Sequence, residues 1–230
     1  MSAGWPILPI FVAMKKFFYT LFICLVASTV VFAQNRPFWK DIQKFKAADS
    51  VEMPPKNAIV FVGSSSFTRW YDVQKDFPGH TIINRGFGGS SLPHLIEYAD
   101  RIIIPYRPKQ VVVYCGENDF GGAGVTADTV VNRFKTLYGI LRNELPKAEI
   151  VYISMKPSPS RAHLMPGFAA ANAEIKTFLE KQRRTRYIDI WDAMLDDKGS
   201  PREELFVSDM LHMNEKGYAI WQKAIAPHLK

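Results

Sequence analysis

Residues 58–66 read Ala-Ile-Val-Phe-Val-Gly-Ser-Ser-Ser, a short apolar run that ends in a glycine and three serines. A run rich in β-branched and aromatic residues is typical of a strand buried on both faces, as in a parallel sheet. The glycine predicts a turn directly after the strand. Open α/β sheets bind ligands beyond the carboxyl ends of their strands. The stretch therefore indicates an α/β fold with a candidate site at residues 63–66.

Four further apolar runs follow, each separated from the next by a helical pattern. The five predicted strands are residues 58–62, 81–84, 110–115, 149–154 and 187–190, and the predicted helical segments are residues 37–48, 67–77, 92–104, 127–144, 166–182 and 215–228. This alternation predicts a three-layer α/β/α, flavodoxin-like fold with a parallel five-stranded sheet in the order 2-1-3-4-5. No repeat or linker interrupts the pattern, so residues 34–230 are predicted to form a single domain.

The composition excludes a disordered chain and gives no sign of a nucleic-acid partner. Hydrophobic residues make up 47% and charged residues 22% of the 230 residues, which is ordinary for a globular protein. The formal net charge is +7, but the lysines and arginines are scattered. The cluster Lys181-Gln182-Arg183-Arg184 fits a solvated helix face better than a nucleic-acid patch.

The N-terminal 33 residues have the pattern of a secretory signal peptide. Lys15 and Lys16 precede an apolar run over residues 17–32, and Ala33 offers a small residue at the cleavage position. We expect a secreted or periplasmic protein with no membrane span after signal removal. A retained N-terminal anchor is the alternative, and the uncharged residues 1–13 fit an upstream start codon.

The cysteines predict no disulfide bond in the mature chain. Cys24 leaves with the signal, and the apolar residues before it do not fit a lipoprotein signal. Cys115 then remains alone. Because Cys115 ends an apolar run, we expect a buried structural thiol without a reactive role.

Three other stretches place polar residues and glycines at strand ends or just before the last helix. They are Asn84-Arg85-Gly86-Phe87-Gly88-Gly89, Gly116-Glu117-Asn118-Asp119 and Asp209-Met210-Leu211-His212. With the serines of residues 64–66, they supply a hydroxyl, backbone amides, a side-chain amide and an Asp/His pair. These are the groups that acyl transfer through a serine nucleophile requires.

His212 is the strongest candidate for the general base. A spacing of three places the Asp209 carboxylate beside the imidazole, which leaves the other ring nitrogen free to take a proton from a serine. An aspartate helix cap beside an exposed histidine is the alternative. Of the other histidines, only His163 lies on a loop that reaches the predicted site, where it fits a substrate contact better than a base.

Two other interpretations of these motifs are disfavoured. The serine turn lacks the last glycine of the G-x-S-x-G elbow, since Phe67 occupies that position. Asp209 and His212 could bind a metal, but no third ligand lies at a typical zinc spacing, so we expect neither a metal nor another cofactor. One of the three serines could also cap the following helix.

Taken together, the four stretches resemble the blocks of the GDSL or SGNH hydrolase family of esterases and acylhydrolases. The resemblance covers nearly the whole mature chain. It implies Ser65 as the nucleophile, with Asp209 and His212 completing a catalytic triad. It also implies an oxyanion hole formed by the backbone N–H groups of Ser65 and Gly89 and the side chain of Asn118.

The resemblance implies an ester hydrolase that works through an acyl-enzyme, and it departs from the family at Ser64, where an aspartate is usual. The predicted substrate is a small-molecule or glycan ester with a short acyl group, such as acetate on a carbohydrate. Long-chain lysophospholipase or thioesterase activity and a non-catalytic binding module remain alternatives.

Asp119 is expected to be structural, and Gly86 and Gly88 are expected to permit close backbone approach. Loop residues expected around the pocket are Arg85, Phe87, Glu117, Phe120, Lys156, Arg161 and His163, of which we take Arg85, Glu117 and His163 as candidate substrate contacts.

Overall fold

The computed structural model describes residues 36–230, so the predicted signal peptide lies outside the described residues. Residues 41–230 form one compact unit. Its centre is a parallel sheet in the order β2-β1-β3-β4-β5, as the sequence predicted. The strands are β1 (Ile59–Gly63), β2 (Ile82–Gly86), β3 (Gln110–Tyr114), β4 (Glu149–Ile153) and β5 (Thr185–Ile188).

Helices precede, connect and follow the strands, and they cover both faces of the sheet. They are α1 (Trp39–Val51), α2 (Ser65–Thr68), α3 (Val73–Asp76), α4 (Leu92–Ile102), α5 (Ala127–Glu144), α6 (Met165–Glu180) and α7 (Glu215–Ile225). The segment predicted as one helix over residues 67–77 is instead two single turns, α2 and α3. Its buried residues Phe67, Trp70, Val73 and Phe77 have helical spacing, but the Trp70 indole donates to Asp76 Oδ2 at 2.5 Å across the interruption.

Alternating side chains of the strands pack against different helices. Phe61 of β1 and Tyr114 of β3 belong to a cluster that includes Trp221 of α7, whose ring centroid lies 4.5 Å from that of Tyr114. On the opposite face, the Tyr152 ring of β4 packs edge-on against Phe134 of α5 at 4.7 Å. Because both faces are covered, every residue of β1, β3 and β4 is buried.

Two glycines allow the backbone to pack closely where β1 and β2 end. Gly63 has φ +153°, and a Cβ there would lie 1.9 Å from the Tyr114 carbonyl oxygen. A Cβ at Gly86 would lie 2.6 Å from the Thr68 backbone nitrogen. The close approach expected from the sequence is therefore confirmed at Gly86, whereas Gly88 has room for a methyl group, 3.8 Å from Ser65 Cβ.

Within residues 36–230, no helix is long and apolar enough to cross a membrane. No three His, Cys, Asp or Glu side chains of that part of the chain converge as a metal site. Cys115 is buried, as predicted, and burial raises the pKa of its thiol well above the usual range, with Asp119 adding to the effect.

Candidate active site

The turn after β1 presents Ser65 at the carboxyl edge of the sheet. Gly63 bends the chain so that the Ser64 N–H donates to the Tyr114 carbonyl at 3.1 Å. Ser64 then precedes α2, and Ser65 is the first residue of that helix. Of the three serines in the turn, Ser64 and Ser66 are buried and Ser65 is partly exposed. The local fold thus leaves Ser65 as the accessible hydroxyl of the turn.

Asp209 and His212 lie on a tight turn that leads into α7. The turn is closed by an antiparallel bridge between Phe206 and Met213, and the Val207 N–H donates to the His212 carbonyl at 2.8 Å. Asp209 Oδ1 accepts the backbone N–H groups of Leu211 at 2.9 Å and His212 at 2.8 Å. These bonds fix the aspartate side chain from within the turn.

The three side chains form a continuous hydrogen-bonded chain. Asp209 Oδ2 lies 2.6 Å from His212 Nδ1, and His212 Nε2 lies 2.9 Å from Ser65 Oγ. Desolvation acts to raise the pKa of Asp209, but the hydrogen bonds from His212 and Leu211 outweigh it and hold the pKa well below its usual range. The carboxylate stays ionised, so His212 is held with a proton on Nδ1 and with Nε2 directed at the serine.

The three groups predicted as oxyanion donors lie on loops that are bonded to the turn of this serine. Within the described residues, no acceptor is paired with the backbone N–H of Ser65 or of Gly89. The Asn118 side chain donates to the Ser90 carbonyl at 2.8 Å, which ties it to the loop that carries Gly89. Ser90 Oγ in turn donates to the Gly63 carbonyl at 3.1 Å. The loops that carry the three candidate donors are therefore bonded to one another.

Glu117 is placed beside Asn118 but faces the protein interior. Its side chain is 5% exposed and pairs with Lys156 at 3.1 Å and Arg161 at 3.2 Å. Burial lowers the pKa of Lys156, and the Glu117 carboxylate opposes that shift. The sequence suggested Glu117 as a substrate contact and Lys156 as a pocket residue; the structure gives both a role in a buried ion pair. In the sequence this pair shows only as opposite charges after the ends of β3 and β4, a pattern that does not separate a buried ion pair from two exposed charges.

Arg85 is turned away from the serine. Along β2, the side chain of Asn84 donates to the Phe67 carbonyl on the α2 side, and Arg85 points to the opposite face. There its guanidinium pairs with Asp49 and donates to the Tyr106 hydroxyl at 2.8 Å. The geometry assigns Arg85 a structural role in place of the expected substrate contact.

The remaining pocket candidates divide between core and surface. Phe87 is buried and packs against Tyr98, whereas Phe120 is half-buried and packs against Phe168. His163 is exposed on a 3₁₀ helix over Pro159–Leu164, which is docked onto the Asp209 turn through the Ser160 N–H and the Met210 carbonyl at 3.0 Å.

Asp119 has the structural role expected for it. Its Oδ2 accepts the Leu92 N–H at the start of α4 at 3.0 Å, and its Oδ1 pairs with Arg133 at 2.8 Å. Burial raises the pKa of Asp119, although these two partners oppose the shift. Asp119 thus joins the loop that presents Asn118 to α4 and α5.

A polar groove begins next to the His212 turn. Its volume is about 450 Å³, and it runs between the α2–α3 segment and α7. Arg69, which lies 3.9 Å from Asp209, and Met213 form the end nearest the triad. Tyr71, whose side chain is 86% exposed, lies on its rim with Asp72 and Glu215. The groove offers aromatic and hydrogen-bonding surface next to the turn that carries Asp209 and His212.

Known structures share this fold at low sequence identity. A Streptococcus pneumonia candidate platelet activating factor is 19% identical, with 92% of this chain and 99% of that chain covered and a TM-score of 0.72. A GDSL-like lipase from Bacteroides thetaiotaomicron is 17% identical, with 81% and 95% covered and a TM-score of 0.70. A variant of an acetyl-xylooligosaccharide esterase from Geobacillus Stearmophilus is 14% identical, with 77% and 96% covered and a TM-score of 0.60.

The sequence comparison identifies the family. No curated protein sequence matches the chain. The family model described as GDSL-like Lipase/Acylhydrolase matches residues 58–220, which include all four of the polar stretches found in the sequence. The chain therefore belongs to the GDSL-like lipase/acylhydrolase family.

Proposed function

We propose that this protein is a serine esterase in which Ser65 is the nucleophile, His212 the general base and Asp209 the residue that orients His212. The observation that carries the proposal is the hydrogen-bonded chain from Asp209 through His212 to Ser65, at 2.6 and 2.9 Å. Membership of an ester-hydrolase family agrees with it. A serine hydroxyl reacts only when a base in contact takes its proton, and this geometry provides that base.

The reaction proceeds in two halves. Ser65 Oγ attacks the ester carbonyl carbon as its proton passes to His212 Nε2, and the carbonyl oxygen becomes an oxyanion. The N–H groups of Ser65 and Gly89 and the Asn118 amide stabilise that charge, each being worth about 3–4 kcal/mol. The tetrahedral carbon then breaks its bond to the alcohol oxygen, which receives the proton from His212 and leaves. Water repeats these steps on the acyl-enzyme and releases the acid and Ser65.

We propose a short acyl ester of a carbohydrate as the substrate. The groove between Arg69 and Glu215 supports this choice, because aromatic and polar side chains suit a sugar on the alcohol side of the ester. The fold shared with an acetyl-xylooligosaccharide esterase is consistent with the same class. We also propose that this activity lies outside the cytoplasm, a proposal supported by the signal-like pattern of residues 1–33.

Two assays test this assignment. A fluorophosphonate probe should label the wild-type protein and not the Ser65→Ala variant, since only an activated serine reacts. A panel of acetyl esters, acetylated xylo-oligosaccharides and long-chain esters should then show the highest kcat/KM for acetylated sugars. Absence of labelling would favour a non-catalytic binding module. A preference for long chains would favour a lysophospholipase or thioesterase.

A further inference from the structure

Glu117 joins the candidate oxyanion hole to a buried set of charges. Its carboxylate accepts a hydrogen bond from the Tyr114 hydroxyl and contacts Lys156 Nζ through both oxygens, at 3.1 and 3.2 Å. Lys156 is 2% exposed, so this ion pair is closed to water. Arg161 Nη1 donates to Glu117 Oε2 at 3.2 Å. The carboxylate is therefore fixed on several sides and serves as a rigid anchor for the guanidinium.

Arg161 connects this anchor to Asn118. While Nη1 bonds Glu117, Nη2 donates to Asn118 Oδ1 at 2.7 Å. The two nitrogens belong to one planar group, so fixing one fixes the other. Arg161 is 23% exposed, and it lies in the 3₁₀ helix over Pro159–Leu164 that also contacts the Asp209 turn.

The contacts around Asn118 define the orientation of its amide. Oδ1 faces the Arg161 donor and Nδ2 faces the Ser90 carbonyl at 2.8 Å. Exchanging the oxygen and nitrogen would set donor against donor and acceptor against acceptor. In the observed orientation, one Nδ2 hydrogen is used by Ser90 and the second remains for a substrate oxygen.

We propose that Arg161 is a positioning residue for the oxyanion hole: held by Glu117, it orients the Asn118 amide and polarises it toward the oxyanion. This inference rests on the proposed esterase function. A cation on the amide oxygen draws electron density from the nitrogen, which makes its remaining N–H a stronger donor. Lysine would not replace Arg161, because an ammonium lacks the planar fork that spans two acceptors.

Steady-state kinetics with a double-mutant cycle test the proposal. Arg161→Met should lower kcat by about tenfold to a hundredfold with little change in KM, since the Asn118 donor itself is worth about 10²–10³ in kcat. In an Asn118→Ala background, Arg161→Met should change kcat by less than about twofold, because the group that it positions is gone. Arg161→Lys should fall between the wild type and Arg161→Met.

The matched control is Arg186→Met, which removes another arginine that pairs with a buried glutamate, 3.6 Å from Glu149 at the amino end of the sheet. It should leave kcat unchanged. A normal kcat in Arg161→Met, a full additional loss in the Asn118→Ala background, or a rise in KM alone would each overturn the proposal. The last outcome would make Arg161 a substrate contact.

A spectroscopic measurement separates failure of this inference from failure of the proposed function. In ¹⁵N-labelled protein, the Asn118 side-chain NH₂ pair is assigned by its loss in Asn118→Ala. With Arg161 present we expect two well-separated proton shifts, and in Arg161→Met we expect the separation to shrink as the amide becomes mobile. Unchanged shifts would refute the positioning role even in an active enzyme. If the Asn118 shifts change in Arg161→Met but the wild-type protein hydrolyses no ester and is not labelled by the fluorophosphonate probe, the positioning role is supported and the esterase function is refuted.

Discussion

Asp209→Asn should leave the fold intact and abolish most of the activity, for a reason that the turn geometry makes specific. Asp209 Oδ1 accepts two backbone N–H groups, from Leu211 and His212, while Oδ2 faces the His212 ring. The new amide has one oxygen, and the two backbone donors both require an acceptor. The oxygen therefore takes the Oδ1 position, and the NH₂ group faces His212 Nδ1.

The magnitude follows from the cost of the alternative orientation. Turning the amide over would break two backbone hydrogen bonds at about 1 kcal/mol each, for a total of about 2 kcal/mol. The favoured orientation presents a donor to Nδ1, so the imidazole proton moves to Nε2 and Ser65 loses its base. The lost carboxylate charge no longer stabilises the imidazolium. We expect kcat to fall about 10³–10⁴-fold, equivalent to about 4–5.5 kcal/mol.

Initial rates with saturating 4-nitrophenyl acetate give kcat, and long-range ¹H–¹⁵N spectra give the His212 tautomer. The control is Asp197→Asn, an exposed aspartate outside the site, which should behave as the wild type. Urea unfolding should show near-normal stability, because the amide oxygen keeps both backbone bonds. A loss of less than tenfold, or an imidazole still protonated on Nδ1, would refute the argument.

Three further predictions concern the serine, the oxyanion hole and stability. Ser65→Ala should abolish turnover and probe labelling in a folded protein, while Ser64→Ala and Ser66→Ala retain both; labelling that survives in Ser65→Ala would remove Ser65 as the nucleophile. Asn118→Ala should lower kcat by about 10²–10³ with a smaller effect on KM, and a near-normal kcat would show that backbone donors suffice. Burial lowers the pKa of His94, with Glu97 opposing, and the neutral ring accepts the Ser91 N–H at 3.1 Å. The neutral ring contributes to the free energy of unfolding above about pH 6.5, and this contribution is lost as the pH falls toward the lowered pKa. Between pH 7 and 5, the free energy of unfolding measured in urea should therefore fall less in His94→Gln than in the wild type. Equal losses would contradict this.

The sheet was predictable because β1, β3 and β4 are buried throughout and the apolar runs of the five strands are bounded by turn residues. The order β2-β1-β3-β4-β5 then follows from right-handed crossovers. The break in the segment between β1 and β2 was not predictable, because its buried aromatic residues have the spacing of one helix. The sequence does not show that the Trp70 indole bonds Asp76 across a break between two short turns. Local spacing predicts which residues are buried, but it does not predict whether they lie on one uninterrupted helix.

The positions of the candidate site residues were predictable, because they follow apolar runs that read as strands. The role of each charged residue was not predictable. Glu117 and Lys156 are 39 residues apart, and a charge on a loop has the same sequence pattern whether it faces water or a buried partner. Arg85 is a different case, because period-two alternation along β2 already separates it from Asn84 and Gly86. The neighbouring glycines favoured a loop position for Arg85, whereas β2 extends to Gly86 and its alternation turns Arg85 to the face opposite Asn84.

Ser64, which stands where the family usually has an aspartate, lies in a turn that backbone hydrogen bonds hold in place. Its side chain is buried, and its position is fixed through backbone groups: its N–H bonds the Tyr114 carbonyl, and the Gly63 carbonyl accepts both the Phe87 N–H at 2.9 Å and Ser90 Oγ at 3.1 Å. These bonds join β1, β3 and the loop after β2 without using the side chain at position 64. The link between these three segments therefore does not depend on an aspartate side chain at position 64.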